Sequence, residues 1–143
     1  MIGKSQPFSW PVRVYYEDTD AGGVVYYANY LRFMERARTE WLRALGFEQS
    51  LLAADHSVLF VVRAVNIAYF KPSRFDDSLQ ITVEVVNVGG SRMRFLQRVL
   101  REDEEGEDVE IVRADVDVVC VNTDSFRPVR VPREMRLKIG IEE

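Results

Sequence analysis

The sequence predicts an α+β domain in which an antiparallel sheet of five strands, or slightly more, curls around one long helix. Two observations lead to this prediction. Residues 28–45 place apolar side chains at three- and four-residue steps, and four long stretches with strand-like alternation follow them. A run of antiparallel strands beside a single helix is typical of α+β domains. A length of 143 residues fits one core of ordinary size, so one domain is expected over residues 1–143.

The first strand is predicted at residues 10–17, with Val12, Val14 and Tyr16 on its inward face. The run Asp18-Thr19-Asp20-Ala21-Gly22-Gly23 should end this strand, because Asp bonds to nearby backbone and Gly accepts positive φ. The acidic turn therefore stands directly before the helix. A helix N-terminus has unpaired N–H groups and partial positive charge. A pair of carboxylates just before it therefore predicts an enzyme active site at this turn.

The helix is predicted from about Ala28 to Leu45, and Gly46 follows at a position typical of a left-handed cap. Its apolar face is wide, as expected of a helix that is covered on several sides. The residues predicted on this face are Tyr30, Leu31, Phe33, Met34, Ala37, Trp41, Leu42 and Leu45. The spacings of Glu35 with Arg38 and of Arg36 with Glu40 predict weak ion pairs along the helix surface.

Four further strands are predicted after a linker at residues 48–55 that is compatible with a short helix. They run from Val58 to Tyr69, through Leu79 to Val85, from Arg92 to Leu100, and through Val112 to Cys120. Met93, Phe95, Gln97 and Val99 share one side of the third of these strands. The remaining tail, residues 127–132, is predicted to be irregular or a brief edge strand. Outward-facing valines predict a subunit interface on the outer face of the sheet, at Val86, Val88, Val119 and Val121.

Composition argues against several function classes. The net charge is −4 without a basic stripe, and general nucleic-acid binding needs clustered Lys and Arg. The single Cys excludes an internal disulfide. One His and one Cys also argue against a zinc site and against a Ser-His-Asp triad. His56 is expected at the surface and Cys120 in the core. No apolar run approaches the ~20 residues needed to cross a bilayer. The N-terminal residues are not hydrophobic, so a cytoplasmic location is expected.

The segment from Val12 to Tyr27 reads V-R-V-Y-Y-E-D-T-D-A-G-G-V-V-Y-Y and continues at Asn29-Tyr30 and Glu35-Arg36-Ala37-Arg38. Later residues of the same pattern are Phe60-Val61-Val62-Arg63, Tyr69, Pro72 and Asp76-Asp77. Together these residues resemble the hot-dog-fold acyl-CoA thioesterases of the 4-hydroxybenzoyl-CoA thioesterase type. The branch that they look most like is the one associated with bacterial Tol–Pal gene clusters. The resemblance covers nearly the whole chain and implies a hot-dog fold.

The resemblance also implies hydrolysis of acyl-CoA thioesters with no metal or redox cofactor. In that family the second Asp of the D-x-D motif, here Asp20, is the catalytic carboxylate. The backbone N–H at the position of Tyr27 polarises the thioester carbonyl, and Asp20 acts as nucleophile or as general base. Tyr16, Asp18 and Gly23 are expected in supporting roles. A metal site at the two aspartates is disfavoured, because the sequence offers no third ligand.

One departure from the pattern concerns the substrate. Many members of the Tol–Pal-associated branch have His where this chain has Tyr27, whereas the hydroxybenzoyl-type enzymes have Tyr. The reaction class is unaffected if the backbone N–H of residue 27, rather than its side chain, polarises the thioester carbonyl. The acyl group, aliphatic or aromatic, stays open, as does its carrier, coenzyme A or acyl carrier protein.

Arginines near strand ends are expected to bind the nucleotide phosphates, because bidentate contacts are geometrically easy there. The candidates are Arg92, Arg127 and Arg130. The resemblance further implies a dimer, or a dimer of dimers forming a homotetramer, with sites at the subunit boundary. Two rival functions stay open: an acyl-thioester hydratase on the same fold, and a non-enzymatic scaffold that binds acyl-CoA or acyl carrier protein in an envelope-associated complex.

Overall fold

A computed structural model describes residues 7–140 and confirms the predicted α+β architecture. The strands are β1 (Phe8–Arg13), β2 (Val58–Tyr69), β3 (Ser78–Val88), β4 (Arg92–Glu102) and β5 (Asp108–Asn122). The helices are α1 (Asn29–Ala44), α2 (Gln49–His56) and α3 (Arg133–Ile139). The five strands form one antiparallel sheet in the order β1-β3-β4-β5-β2.

The long helix α1 packs its apolar face against the sheet, close to the predicted boundaries. Six of its residues are buried: Tyr30, Phe33, Met34, Ala37, Trp41 and Leu42. The Trp41 ring lies edge-on to Phe95 of β4, with ring centroids 5.2 Å apart. Leu31, which was placed on the same face, is instead 40% exposed. One hydrophobic core therefore joins the helix and the sheet.

The first strand ends earlier than predicted, and the inward position predicted for Tyr16 is wrong. β1 stops at Arg13, and Tyr16–Asp18 form a short 3₁₀ turn. The Tyr15 N–H donates to Asp18 Oδ2 at 2.8 Å, so a side-chain acceptor takes the place of a strand partner. The chain turns at this bond, and Tyr16 is left 79% exposed, with its ring against Phe75.

The two edges of the sheet differ. The β1 edge is short, whereas β2 has 12 residues and pairs on one side only, with β5. Most of β2 beyond Val61 is exposed, including Val62 at 41% and Val65 at 38%. A long apolar edge with unpaired backbone groups is normally covered by another chain or element. Among residues 7–140, no strand pairs with the outer side of β2.

The C-terminal part contains a helix, α3, that was not predicted from the sequence. α3 begins after Pro132, ends at Gly140 with φ 99°, and buries Met135. Pro before a helix and Gly after it are typical boundaries, so the signal was present. A bridge between Val121 and Pro128 also covers part of the outer sheet face, and Val121 is only 4% exposed. Val86 remains exposed at 46%, so the predicted apolar outer face is only partly present.

None of the helices within residues 7–140 combines the length and the apolar character that crossing a bilayer requires.

Candidate active site

The acidic turn forms a small hairpin whose tip carries Asp20. The Tyr26 N–H donates to the Asp18 carbonyl at 2.9 Å, and the Asp20 N–H donates to the Val24 carbonyl at 2.9 Å. The Gly23 N–H closes the tip by donating to the Asp20 carbonyl at 3.0 Å. Gly23 has φ 81°, a backbone conformation that residues with a side chain rarely adopt, so glycine allows the tip to take this shape.

The Asp20 carboxylate is exposed and only partly occupied. Its Oδ1 accepts the Gly22 N–H at 2.8 Å, which holds the side chain in one orientation. A Cβ at Gly22 would lie 3.2 Å from this oxygen, so glycine leaves room for the carboxylate. Among residues 7–140 no group donates to Oδ2. Asp20 therefore has one oriented oxygen that is available to a substrate or a water.

Asp18 uses both of its carboxylate oxygens as hydrogen-bond acceptors. Its Oδ2 accepts the Tyr15 N–H at 2.8 Å, and its Oδ1 accepts the Asn29 side-chain amide at 3.1 Å. Oδ2 thus holds the turn after β1, and Oδ1 ties it to Asn29, the first residue of α1. Asp18 positions the turn relative to the helix, and Asp20 is left as the carboxylate that can react.

The start of α1 provides free backbone donors beside this hairpin. The Asn29 N–H donates to the Tyr26 carbonyl at 2.8 Å, whereas the Tyr27 and Ala28 N–H groups meet no acceptor among residues 7–140. No side chain caps the helix, and its first turn contains no acidic residue. Uncapped N–H groups at a helix N-terminus attract negative charge. The geometry is suited to stabilising an oxyanion.

Tyrosine rings surround the helix start. The Tyr27 ring is 61% exposed and lies 4.9 Å from the Tyr26 ring and 6.0 Å from the Tyr69 ring. The Tyr69 hydroxyl, at the end of β2, donates to the Tyr27 carbonyl at 3.4 Å. Partial burial raises the pKa of Tyr69, so this phenol stays protonated and remains a donor at neutral pH. The end of β2 is therefore attached to the candidate site.

The three arginines predicted to bind phosphate do not lie near Asp20 of the same chain. The hairpin adjoins the start of β3, where the Val14 N–H donates to the Asp77 carbonyl at 2.9 Å. Arg92 pairs with Val119, and Arg127 and Arg130 flank the last residues of β5, all at the opposite end of the strands. β3 has 11 residues, which span about 35 Å at ~3.3 Å per residue. One chain cannot bring both groups to one ligand.

Two cavities flank α1. The larger, about 410 Å³, lies between the helix and the β2 edge and is called the helix-edge cavity below. Its apolar walls are Trp41, Leu42, Phe60, Val61, Val62, Met93, Phe95 and Val118, and its polar residues are Glu35, Arg38, Thr39 and Gln49. The second, about 360 Å³, adjoins the hairpin at Asp18 and is lined by three arginines, Arg13, Arg32 and Arg36.

Sequence reasoning missed a polar contact between α1 and the sheet. Arg38 was placed in a surface ion pair, yet its Nη1 donates to Gln97 Oε1 at 2.8 Å and no ion pair with Glu35 forms. Glu40 pairs with Arg43 rather than with Arg36, at 2.6 Å. The signal for the missed contact was Gln97 itself, which is fully buried among the apolar residues of β4. A buried polar side chain is normally hydrogen-bonded.

The remaining titratable candidates lie away from the hairpin. Cys120 is fully buried, and burial raises the pKa of its thiol to about 11, which makes it a poor nucleophile. His56 is exposed at the end of α2, as predicted, with its Nε2 3.8 Å from a carboxylate oxygen of Glu134. Across residues 7–140 no three His, Cys, Asp or Glu side chains are grouped closely enough to hold a metal ion.

Several known proteins are similar to this chain in sequence and in fold. A family model described as the thioesterase-like superfamily matches residues 14–139. The chain is 46% identical over 129 residues to an acyl-CoA thioesterase, YbgC, of Haemophilus influenzae, covering 90% of this chain and 91% of that one. A solved structure of a probable thioesterase from Bartonella henselae is 35% identical with a TM-score of 0.82, covering 89% of this chain and 100% of that one.

A 4-hydroxybenzoyl-CoA thioesterase in complex with 4-hydroxybenzoyl-CoA has a TM-score of 0.89 at 18% identity, covering 95% of this chain and 100% of that one. At that identity the likeness concerns the fold alone, and it confirms the hot-dog architecture predicted from the sequence. The family model spans most of the chain, and the H. influenzae relative matches over nearly the full length of both proteins. This chain belongs to the thioesterase-like superfamily.

Proposed function

We propose that this protein hydrolyses acyl-CoA thioesters to free acid and coenzyme A, at the hairpin that carries Asp20. The close relative named as an acyl-CoA thioesterase supports the reaction. One observation supports the location. An oriented carboxylate with a free oxygen stands beside a helix start with two free N–H groups.

The Tyr27 and Ala28 N–H groups receive the thioester carbonyl oxygen. As the carbonyl carbon becomes tetrahedral, its oxygen gains negative charge, and donors already in place stabilise that charge without reorganisation. Loss of a single oxyanion donor typically lowers kcat by about 100- to 1,000-fold. In this arrangement the side chain of residue 27 contacts the substrate without taking part in the bond changes, so Tyr serves as well as His.

Asp20 can act by two routes, and the free Oδ2 suits both. As general base it takes a proton from water, hydroxide adds to the carbonyl carbon, the C–S bond breaks, and the thiolate of coenzyme A leaves and is protonated. As nucleophile, Oδ2 itself adds to the carbon and expels the thiolate, and water then hydrolyses the mixed anhydride, which regenerates the carboxylate. Both routes need the same oxyanion donors.

Thiol release from acyl-CoA, followed with a thiol reagent, tests the proposal directly. Asp20→Asn should lower kcat by at least about 100-fold, because the amide neither accepts the proton nor forms the anhydride. Asp115→Asn is the matched control: it is an exposed aspartate in the middle of β5, away from both ends of the strand, and should behave as wild type. Unchanged turnover in Asp20→Asn would exclude Asp20. Tight acyl-CoA binding without thiol release at any chain length would favour the scaffold function.

Heavy-oxygen water can reveal the nucleophilic route. After repeated turnover, attack of water on the Asp20 carbon of a mixed anhydride leaves label in the peptide that contains Asp20. The general-base route, like attack of water on the acyl carbon of the anhydride, labels only the released acid. Label in the Asp20 peptide, detected by mass spectrometry of the digested protein, therefore establishes the nucleophilic route.

We also propose that the active form is a dimer in which β2 pairs antiparallel with β2 of a second copy. The exposed apolar edge with unpaired backbone groups supports this, since such an edge is satisfied by another strand. The midpoint of the exposed stretch from Val62 to Tyr69 would lie on the twofold axis, so Val62 would face Tyr69 of the second copy.

This pairing would complete the site. Tyr69 of each copy is bonded to Tyr27 of the same copy, so the helix start of one copy would lie beside the helix-edge cavity of the other, which Val62 lines. Antiparallel pairing also brings the strand ends with Arg92, Arg127 and Arg130 toward the hairpin of the second copy. The nucleotide-binding role of these arginines, which one chain does not allow, becomes possible across the interface.

Light scattering of purified variants tests the assembly. Val65→Lys places a charge at the centre of the β2 edge and should give monomers with strongly reduced activity. Val86→Lys changes a similarly exposed valine on β3. It should leave the dimer intact, and it should convert a homotetramer to a dimer if the outer face joins two dimers. A dimeric, active Val65→Lys protein would contradict the β2 pairing.

The carrier of the acyl group is the remaining choice. The cavity beside Asp18 is lined by three arginines and by the carboxylates of Glu17 and Asp18. Of the arginines, Arg32 and Arg36 are the donors available to nucleotide phosphates or to an acidic carrier protein, because Arg13 pairs with Asp76. Comparing kcat/KM for one acyl group on coenzyme A and on acyl carrier protein decides between them. A cytoplasmic location, where both carriers occur, is part of the same proposal and is tested by cell fractionation.

A further inference from the structure

The guanidinium of Arg38 lies in the helix-edge cavity with few partners. One N–H of Nη1 donates to Gln97 Oε1 at 2.8 Å, and among residues 7–140 no carboxylate forms an ion pair with it. Guanidinium has five N–H donors, so most of them remain available to an acceptor inside the cavity. Burial lowers the pKa of Arg38 and Glu35 opposes the change, yet arginine remains a cation at neutral pH.

Gln97 holds this cation in place. Its amide nitrogen donates to the carbonyls of Met34 at 3.1 Å and of Thr82 at 3.3 Å. Since both amide hydrogens are used, Oε1 is directed at Arg38 and accepts from it. Gln97 is fully buried and cannot reorient without losing these bonds. Arg38 is therefore a fixed, partly desolvated donor rather than a mobile surface side chain.

The surroundings of Arg38 are those of a ligand site. The cavity of about 410 Å³ falls within the ordinary range of small-molecule sites, and its walls are mainly aromatic and aliphatic. In such sites a small number of placed polar groups determine which ligand is accepted. A purely aliphatic acyl chain would leave the donors of Arg38 unpaired, and this costs binding energy.

We propose that Arg38 is a specificity-determining residue that selects acyl groups with an oxygen acceptor at the end far from the thioester. A terminal carboxylate and a terminal hydroxyl share this chemistry. The inference rests on the proposed thioesterase function and on the β2 pairing, which places the cavity beside the helix start of the second copy. The acyl group enters the cavity of one copy while its carbonyl is held by the Tyr27 N–H of the other.

A matched series of six-carbon esters tests the inference: hexanoyl-CoA, 6-hydroxyhexanoyl-CoA and adipoyl-CoA. The wild-type protein should hydrolyse at least one oxygenated ester with kcat/KM about 10-fold or more above that of hexanoyl-CoA. Arg38→Met should remove this preference by lowering kcat/KM for the favoured ester and raising it for hexanoyl-CoA, because the unpaired donors are gone. Sustained hexanoyl-CoA hydrolysis also reports that the variant is folded. Arg38→Lys should keep part of the preference for adipoyl-CoA, because it keeps the charge. Arg94→Met, on the exposed side of β4, is the control and should keep the wild-type pattern.

Binding separates failure of this inference from failure of the proposed function. The same esters are titrated calorimetrically into Asp20→Asn, with and without Arg38→Met. If the wild type hydrolyses no ester, the thioesterase proposal fails, and the binding series still reports on Arg38. Equal kcat/KM for all three esters in the wild type, or equal affinity for them in Asp20→Asn, overturns the role of Arg38, as does a preference that survives in Arg38→Met. A preference for the hydroxyl alone supports Arg38 if it is lost in Arg38→Met, and it overturns the role of Arg38 in favour of Glu35, in the same cavity, if it persists there.

Discussion

Gln97→Leu removes the buried amide that joins α1 to the sheet. The substitution loses one hydrogen bond from the Arg38 cation and two from the amide to the carbonyls of Met34 and Thr82. A bond to a charged group contributes about 1.5–3 kcal/mol and a neutral one about 1 kcal/mol. Leucine recovers part of this through apolar contact, so a net loss of about 3 kcal/mol is expected. For a chain of this size, that corresponds to a decrease in Tm of roughly 10 °C.

Urea unfolding followed by circular dichroism measures this loss, and Gln80→Leu provides the control. Gln80 lies on neighbouring β3 and accepts a hydrogen bond from the Ser9 hydroxyl at 2.7 Å, but it is exposed. Its replacement should change the free energy of unfolding by less than about 0.5 kcal/mol. A loss below about 1 kcal/mol in Gln97→Leu would refute the reasoning, since the buried groups would then have other partners.

A double-mutant cycle isolates the bond between the two side chains. Gln97→Leu alone leaves the Arg38 cation without its acceptor, so adding Arg38→Met should cost much less than it does in the wild type. The coupling energy should be about 1.5–3 kcal/mol, and a value near zero would mean that the two side chains contribute independently.

Three further outcomes are expected. Asp18→Ala should lower kcat about 10-fold and the free energy of unfolding by about 2 kcal/mol, because both carboxylate oxygens bond to the turn and helix start; wild-type kcat would contradict that role. Tyr27→Phe should keep kcat/KM within about threefold, whereas Tyr27→Pro, which lacks the N–H, should lose about 100-fold while a melting curve reports whether it is folded. Burial raises the pKa of Cys120 from 9.0 to about 11, so the folded state holds the proton more tightly. Stability from this thiol is fully present below about pH 9 and declines toward pH 11, and the extra slope should be absent in Cys120→Ala.

Local patterns were enough to place the elements. The apolar period of α1 predicted the helix to within a residue or two, because a helix must bury one stripe of its surface. Period-two alternation located all four long strands, because successive side chains of a strand point to opposite faces of the sheet and one face is buried. Tyr16 shows where this reasoning ends. Alternation placed it inward, but the side chain of Asp18 competed for the Tyr15 N–H and turned the chain first.

The amino-acid sequence was enough to predict the parts of the candidate site: a carboxylate at Asp20, glycines in its turn, and a helix that follows at once. These features are local, and neighbours in the chain create them. Three features became visible only in the folded chain. Arg92, Arg127 and Arg130 lie a strand length from Asp20, β2 is an open edge, and Gln97 holds Arg38 in a cavity. These contacts join residues that are far apart in sequence, and they depend on strand order and register, which periodicity does not specify.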